Sequence, residues 1–268
     1  MGIFNSTRRA IGAHTTLNTT SIETSRYPAA HAPRGSALLA HMIAGVACLA
    51  GVIGVAGQAN ADVVYFNDFE AEAFGTEWSA VAIETTPVLA RSFLGRFGNE
   101  NVSLSISDLP THDTIRISFD LYIIGSWDGN TIPGPDAWGL AVAGGPTLLH
   151  TTFCVSGPTS TRTQNYPDWI GGDSHAQRTG AAESNTMGYT WSNVFLPIPV
   201  QTDAMWQLSF EVPHTATGIT FNFFASGLQP IDDEAWGLDN VRVEAVPTPG
   251  ALVIAGIGGL VALRRRRR

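Results

Sequence analysis

Apolar and polar residues alternate with a period of two through most of the middle of this chain. Between positions 115 and 123 the alternation is strict. Ile115, Ile117, Phe119, Leu121 and Ile123 fall on one face of an extended backbone, and Arg116, Ser118, Asp120 and Tyr122 on the other. Shorter runs of the same kind occupy 63–66, 102–107, 138–142, 147–153, 194–198, 206–212, 219–225 and 236–243. Gly, Pro, Asn and Asp separate them, as in Asp128-Gly129-Asn130 and Gly134-Pro135-Asp136, and these are the residues that turn a chain. No segment of this region has a helical period with caps. About nine or ten strands with one polar face predict an all-β, antiparallel two-sheet β-sandwich, most simply a jelly roll. The longest interruption, 155–190, is dense in Ser, Thr, Gly, Asn and Asp, and a loop of that length is usually functional or disordered. Its Tyr166, Trp169 and Tyr189 speak for an ordered cover over one sheet, with a mobile excursion as the alternative.

The two ends follow other rules. Residues 1–36 are rich in Ser, Thr, Ala and Arg with a single acid, Glu23, and residues 37–56 are almost wholly apolar. Gly57-Gln58-Ala59-Asn60-Ala61 follows. This is the layout of an N-terminal signal helix, with the small residues Ala59 and Ala61 placed for signal peptidase and cleavage before Asp62. At the other end stand Val246, Pro247, Thr248, Pro249 and Gly250, then an apolar run over 251–263, then Arg264, Arg265, Arg266, Arg267 and Arg268. As a helix that run reaches only about 20 Å, against about 30 Å for a bilayer's hydrocarbon core. A short C-terminal membrane helix is expected, its arginines snorkelling to the interface and held on the cytoplasmic side. The chain therefore divides into 1–61 (extension and signal), 62–245 (β-sandwich) and 246–268 (tail).

Proline motif, short apolar helix and terminal arginine cluster together resemble the PEP-CTERM sorting signal of exported bacterial proteins, with Thr248 where the name-giving glutamate would stand. The resemblance covers only the tail. It implies recognition and cleavage by an exosortase-type sorting enzyme, transient anchoring by the C-terminus, and delivery to the cell surface, outer envelope or extracellular matrix.

Charge narrows the partners. The whole chain carries −8, but residues 62–245 hold six arginines against 22 acids, and no lysine occurs anywhere. A surface this acidic repels phosphate backbones, which argues against nucleic acid as a partner and suits divalent cations, a cationic polymer or plain solubility. Cys48 would leave with the signal, so Cys154 is a lone thiol and no disulfide framework can be drawn.

Candidate chemistry falls into two groups. The body opens on Asn67-Asp68-Phe69-Glu70 and closes on Trp236-Gly237-Leu238-Asp239-Asn240. In layout it resembles secreted jelly-roll modules that bind carbohydrate, whose first and last strands lie side by side. That resemblance implies a structural calcium held by Asp68, Glu70 and Asp239, a turn at Asp239-Asn240 with a solvated Glu70 being the plainer reading. The second group is Trp127, Asp128, Asp136 and Trp138, joined by a Gly/Pro loop, together with Tyr166 and Trp169. Indoles and carboxylates at one end of a sandwich can hold a sugar by stacking and hydrogen bonding, although core tryptophans with turn aspartates explain the same letters. Asp232-Asp233-Glu234 reads as a solvated acidic loop. No nucleophile elbow, zinc helix or phosphate loop occurs, and Asp120 alone occupies the strand where laminarinase-like sandwiches carry three acids. The expectation is a non-enzymatic exported protein whose body binds extracellular polysaccharide or serves as a structural or protein-interaction component of the envelope.

Overall fold

The computed structural model describes residues 61–71, 75–192 and 198–247, all within the unit Ile53–Arg268. Ala59 of the expected cleavage site, Thr248, Pro249, Gly250, Arg264 to Arg268, both terminal helices and most of the strand expected at 194–198 lie outside the described residues. Ala61 precedes the first strand, Asp62 begins it, Val246 ends the last, and Pro247 follows.

The described chain is all β. In order the strands are β1 (Asp62–Asn67), β2 (Ile83–Thr85), β3 (Ser92–Phe97), β4 (Asn101–Ile106), β5 (Thr114–Gly125), β6 (Ala137–Val142) and β7 (Thr147–Thr152). Short pieces follow: β8 (Thr163–Gln164), β9 (His175–Ala176), β10 (Glu183–Ser184), β11 (Thr190–Trp191) and β12 (Val200–Gln201). Three long strands close the body: β13 (Asp203–Pro213), β14 (Ile219–Ser226) and β15 (Glu234–Val246). One antiparallel sheet has the order β10-β13-β5-β15-β3-β2, with β1 also on β15, and a second has the order β4-β14-β6-β7. Small two-stranded pieces, β8 with β9 and β11 with β12, belong to the long connection after β7.

The strict alternation of β5 does what its pattern predicts. Ile115, Ile117, Phe119, Leu121 and Ile123 enter one apolar cluster with Val102 and Leu104 of β4, Trp138 and Leu140 of β6, Phe221 and Phe223 of β14, and Trp236 and Leu238 of β15. Both sheets thus supply the same core. Trp138 is the bolt between them, with its ring 5.8 Å from Phe119 and 6.1 Å from Trp236 of the large sheet, and 6.3 Å from Phe223 of its own. Aromatic pairs at these separations add to the area they bury.

β15 is paired on both sides. Along one edge it follows β5 for nearly its whole length; along the other it meets β3 over residues 236–238 and β1 over 241–245. First and last strands therefore do lie side by side, as expected. A bulge separates the two halves: Asp239 faces Asp120 and Arg242 faces Ser118, leaving Asn240 and Val241 opposite one residue. Asn240 takes φ 51°. The extra residue changes the parity of the strand, so that Trp236 and Leu238 before it and Val241, Val243 and Ala245 after it all face the core. Just before the bulge, Asp239 is buried on the outer face, where Tyr122 Oη donates to Oδ2 (2.8 Å) and the Asn240 N–H to Oδ1 (2.7 Å). Burial pushes the Asp239 carboxyl up to about 6, the two donors working against it and Asp120 and Glu70 adding to it.

The outer face of the large sheet departs from the expected polar surface at its upper half. Phe93, Tyr122, Ile124, Met205 and Ala235 are buried there under Met187 and Tyr189, forming a second apolar cluster. Phe93 lies over Gly237, where a Cβ would come within 2.4 Å of its ring. The cover is the 155–190 connection, and buried polar side chains fix its shape. Asp203, fully buried, accepts the N–H groups of Thr186 and Met187 at Oδ1 (2.9 and 3.1 Å) and of Gly188 and Tyr189 at Oδ2 (3.0 Å each). Gln164, also fully buried, accepts from the Cys154 and Arg178 N–H groups and donates to the Tyr166 and Thr179 carbonyls. Asn165 does the same between Thr152, Gly171, Gly172 and Asp173. These amides and the carboxylate take the role of a secondary-structure ladder, since buried backbone groups need partners.

Asp203→Ala strands four N–H groups and should lower unfolding free energy by roughly 2–4 kcal/mol, with Asp203→Asn intermediate. Urea titration with hydrogen exchange at 186–189 checks the order, and equal stability of all three proteins would contradict the clamp. For Asp239, the folded carboxyl binds its proton more tightly than the unfolded one, whose ordinary value is 3.8. Its contribution is therefore complete below pH 4 and lost as pH rises through about 6, on the order of 3 kcal/mol. The melting-temperature gap between Asp239→Asn and the wild type should move in favour of the variant from pH 4 to 7.5; a constant gap would contradict the burial argument.

Candidate functional site

Three chain segments meet at the end of the sandwich where β5 stops and β15 starts. After Gly125, the backbone turns through Ser126 to Asn130; after β7, it descends through Cys154 to Arg162; before β15, it passes Gln229 to Asp233. An antiparallel bridge between Asp128 and Cys154 and the Val155 N–H to Trp127 carbonyl bond (2.9 Å) tie the first two together. The Ser126 N–H donates to the Asp233 carbonyl (2.9 Å) and ties in the third.

Between them opens a cleft of about 400 Å³ lined by Ser126, Asp128, Pro133, Ser156, Gly157, Thr159, Ser160, Arg162, Trp191, Gln229 and Asp233. Its chemistry is mixed: one half-buried indole from β11, hydroxyls, an amide, two carboxylates and a guanidinium. Arg162 is ion-paired with Asp128. Asp233 Oδ1 accepts from Ser126 Oγ (2.5 Å).

Behind the cleft wall lies an acidic cluster. Asp128, Asp136 and Glu234 are all buried, at 2%, 0% and 0% exposure, and each offers an oxygen within 4.8 Å of the other two. Asp136 Oδ2 accepts the Asp128 N–H, whereas Asp136 Oδ1 is buried without a hydrogen-bond partner. Glu234 accepts from Gln229 twice, from its N–H at Oε2 (2.6 Å) and from Nε2 at Oε1 (2.9 Å). Burial pushes the Asp136 carboxyl up to about 8, and the neighbouring Glu234 charge adds to the shift. Burial likewise raises Glu234 above its ordinary value, against the two Gln229 bonds. Two carboxyls this close in a dry site favour holding one proton between them.

The sequence-based site residues fare unevenly. Asp128 and Asp136 come together at one end of the sandwich. Trp127 and Trp138 do not serve as a platform: both are fully buried, Trp127 donating from Nε1 to the Ala235 carbonyl (3.0 Å) and Trp138 filling the space between the sheets. Tyr166 is half-buried and stacks on Phe153 (5.0 Å), and Trp169, 49% exposed, is not part of the cleft lining. The acidic run 232–234 is not uniformly solvated, because β15 begins at Glu234 and draws its side chain inside. Trp191, Arg162, Gln229 and Ser126 line the cleft without having been singled out in the sequence, and Glu234, expected in a solvated loop, belongs to the buried cluster. The parity of β15 carried a signal for Glu234, which shares the face of Trp236 in period-two register; nothing around Trp191 distinguishes it.

The other carboxylate group is not assembled. Glu70 Oε1 accepts from the Ser92 N–H (3.0 Å), Asp68 Oδ1 from the Glu70 N–H (3.3 Å), and both Asp239 oxygens are taken by Tyr122 and Asn240. Among the described residues, the group of three potential ligands that converges is Asp128, Asp136 and Glu234, not Asp68, Glu70 and Asp239.

No protein-family model and no curated protein sequence matches this chain. Among solved structures, the chain is similar to the carbohydrate-binding module of Cellvibrio mixtus lichenase 5A in complex with cellotriose, at 14% identity and a TM-score of 0.28 over 68% of this chain and 96% of that one. It is also similar to the mosquito-larvicidal Cry4Aa toxin of Bacillus thuringiensis, at 11% identity and a TM-score of 0.29 over 66% of this chain and 22% of that one. Similarity at this level assigns no function, and the functional reading rests on the geometry above.

Proposed function

We propose that this is an exported, non-catalytic surface or matrix protein whose jelly-roll body binds extracellular polysaccharide in the Trp191 cleft. The carrying observation is the composition of that cleft: an accessible indole faces Asp128, Asp233, Arg162, Gln229 and several hydroxyls in about 400 Å³. A sugar's C–H face stacks on an indole while its hydroxyls bridge carboxylates and guanidinium, and the volume falls within the range of small-ligand sites. Catalysis has less support. Asp136 and Glu234 sit behind the wall, and Asp128 is engaged by Arg162. Export by signal peptidase before Asp62 and sorting through the PEP-CTERM-like tail complete the reading, with the membrane and an exosortase-type enzyme as processing partners.

Retention of the purified protein on gels and slurries of a polysaccharide panel tests the binding. At least one glycan should retain it, Trp191→Ala and Asp233→Asn should weaken retention about tenfold or more, and Trp169→Ala should leave it unchanged. No retention on any glycan would overturn this reading and favour an interaction role in the envelope. Sorting has a separate check, the intact mass of protein recovered from the cell exterior. It should end at or before Gly250, and a product retaining Arg264 to Arg268 would contradict cleavage.

A further inference from the structure

We infer that Asp128, Asp136 and Glu234 form a buried site for a hard divalent cation of the calcium class. Acidic clusters on a surface are common and solvated, but this one is inside: none of its members exceeds 2% exposure. Within it, Asp136 Oδ1 is held away from water with no N–H or hydroxyl donor, so that without a cation it is relieved by nothing but a proton shared with Glu234. An uncompensated buried carboxylate oxygen costs far more than a paired one, and among the partners named above Arg162 is the single cation facing three carboxylates. All the offered ligand atoms are oxygens, which selects calcium, magnesium or manganese over zinc or copper. Carboxylates that bind through one or both oxygens, with backbone carbonyls and water, supply the about six to eight ligands that calcium takes.

The three residues come from three places in the fold. Asp128 follows β5, Asp136 precedes β6 and Glu234 begins β15. A cation there would tie the loops of both sheets together at the cleft, with Asp128 shared between the cation and the cleft wall. The inference does not depend on glycan binding and stands if every glycan fails to bind.

Melting of the purified protein in chelator and in millimolar calcium, magnesium or manganese tests it, alongside titration with terbium excited through tryptophan. Trp127 adjoins Asp128 in the chain and is fully buried, so terbium in the site should show sensitised emission that calcium competes away. Calcium at about 100 times its Kd should raise the melting temperature by about 5 °C or more. Asp136→Asn and Glu234→Gln should abolish the rise, and Asp239→Asn should keep it. Equal melts with every cation and with chelator, or a rise that survives both substitutions, would overturn the assignment. Should either substitution prevent folding, the terbium signal of the unsubstituted protein decides: calcium-competed emission supports the site, and its absence overturns it.

Discussion

The ladder between β5 and β15 is the constraint on which the rest of this structure depends. It is the central pairing of the large sheet, and every other strand of that sheet is placed relative to it. Because side chains alternate sides, one uncompensated residue in either strand would turn half of its apolar set outward. The bulge at Asn240 is where the two strands reconcile their patterns. It lets Trp236 and Leu238 share a face with Val241 and Val243, and it marks where the second edge of β15 passes from β3 to β1.

Around this apolar framework the chain uses polar side chains as interior scaffolding. Asp203, Gln164 and Asn165 each satisfy several backbone groups of the long connection, which has only two-residue strands of its own. That connection buries Tyr122, Phe93 and Met205 on what would otherwise be a solvated face. Arginines are used sparingly on the same plan. Arg91 is paired with Glu183, Arg96 with Glu84, and Arg116 with both Glu211 and Glu244 across neighbouring strands. At partly exposed positions such pairs contribute little to stability.

What the sequence disclosed tracks how local each signal is. The alternation of 115–123 is complete within nine letters, and β5 follows it. β3 escaped notice because Phe93 and Leu94 point to opposite apolar surfaces and Gly95 has no side chain, so no alternation is visible in Ser-Phe-Leu-Gly-Arg-Phe. The pairing of β1 with β15 was legible from layout, whereas the bulge beside Asp239 is betrayed only by the parity change between Leu238 and Val241. Tryptophans show the limit most clearly. Trp127, Trp138, Trp169 and Trp191 differ in what packs around them, and that is decided by partners some hundred positions away in the case of Trp127 and Ala235. The cluster of Asp128, Asp136 and Glu234 is non-local in the same sense.

β15 runs from Glu234 beside the cleft to Val246, where its antiparallel partner β1 begins. Thirteen extended residues cover about 40 Å at roughly 3.3 Å each. The described chain therefore enters and leaves at one pole of the sandwich, and its cleft opens at the other. Any attachment made through the segment after Val246 would hold the domain at that pole and leave the cleft the length of β15 away from the point of attachment.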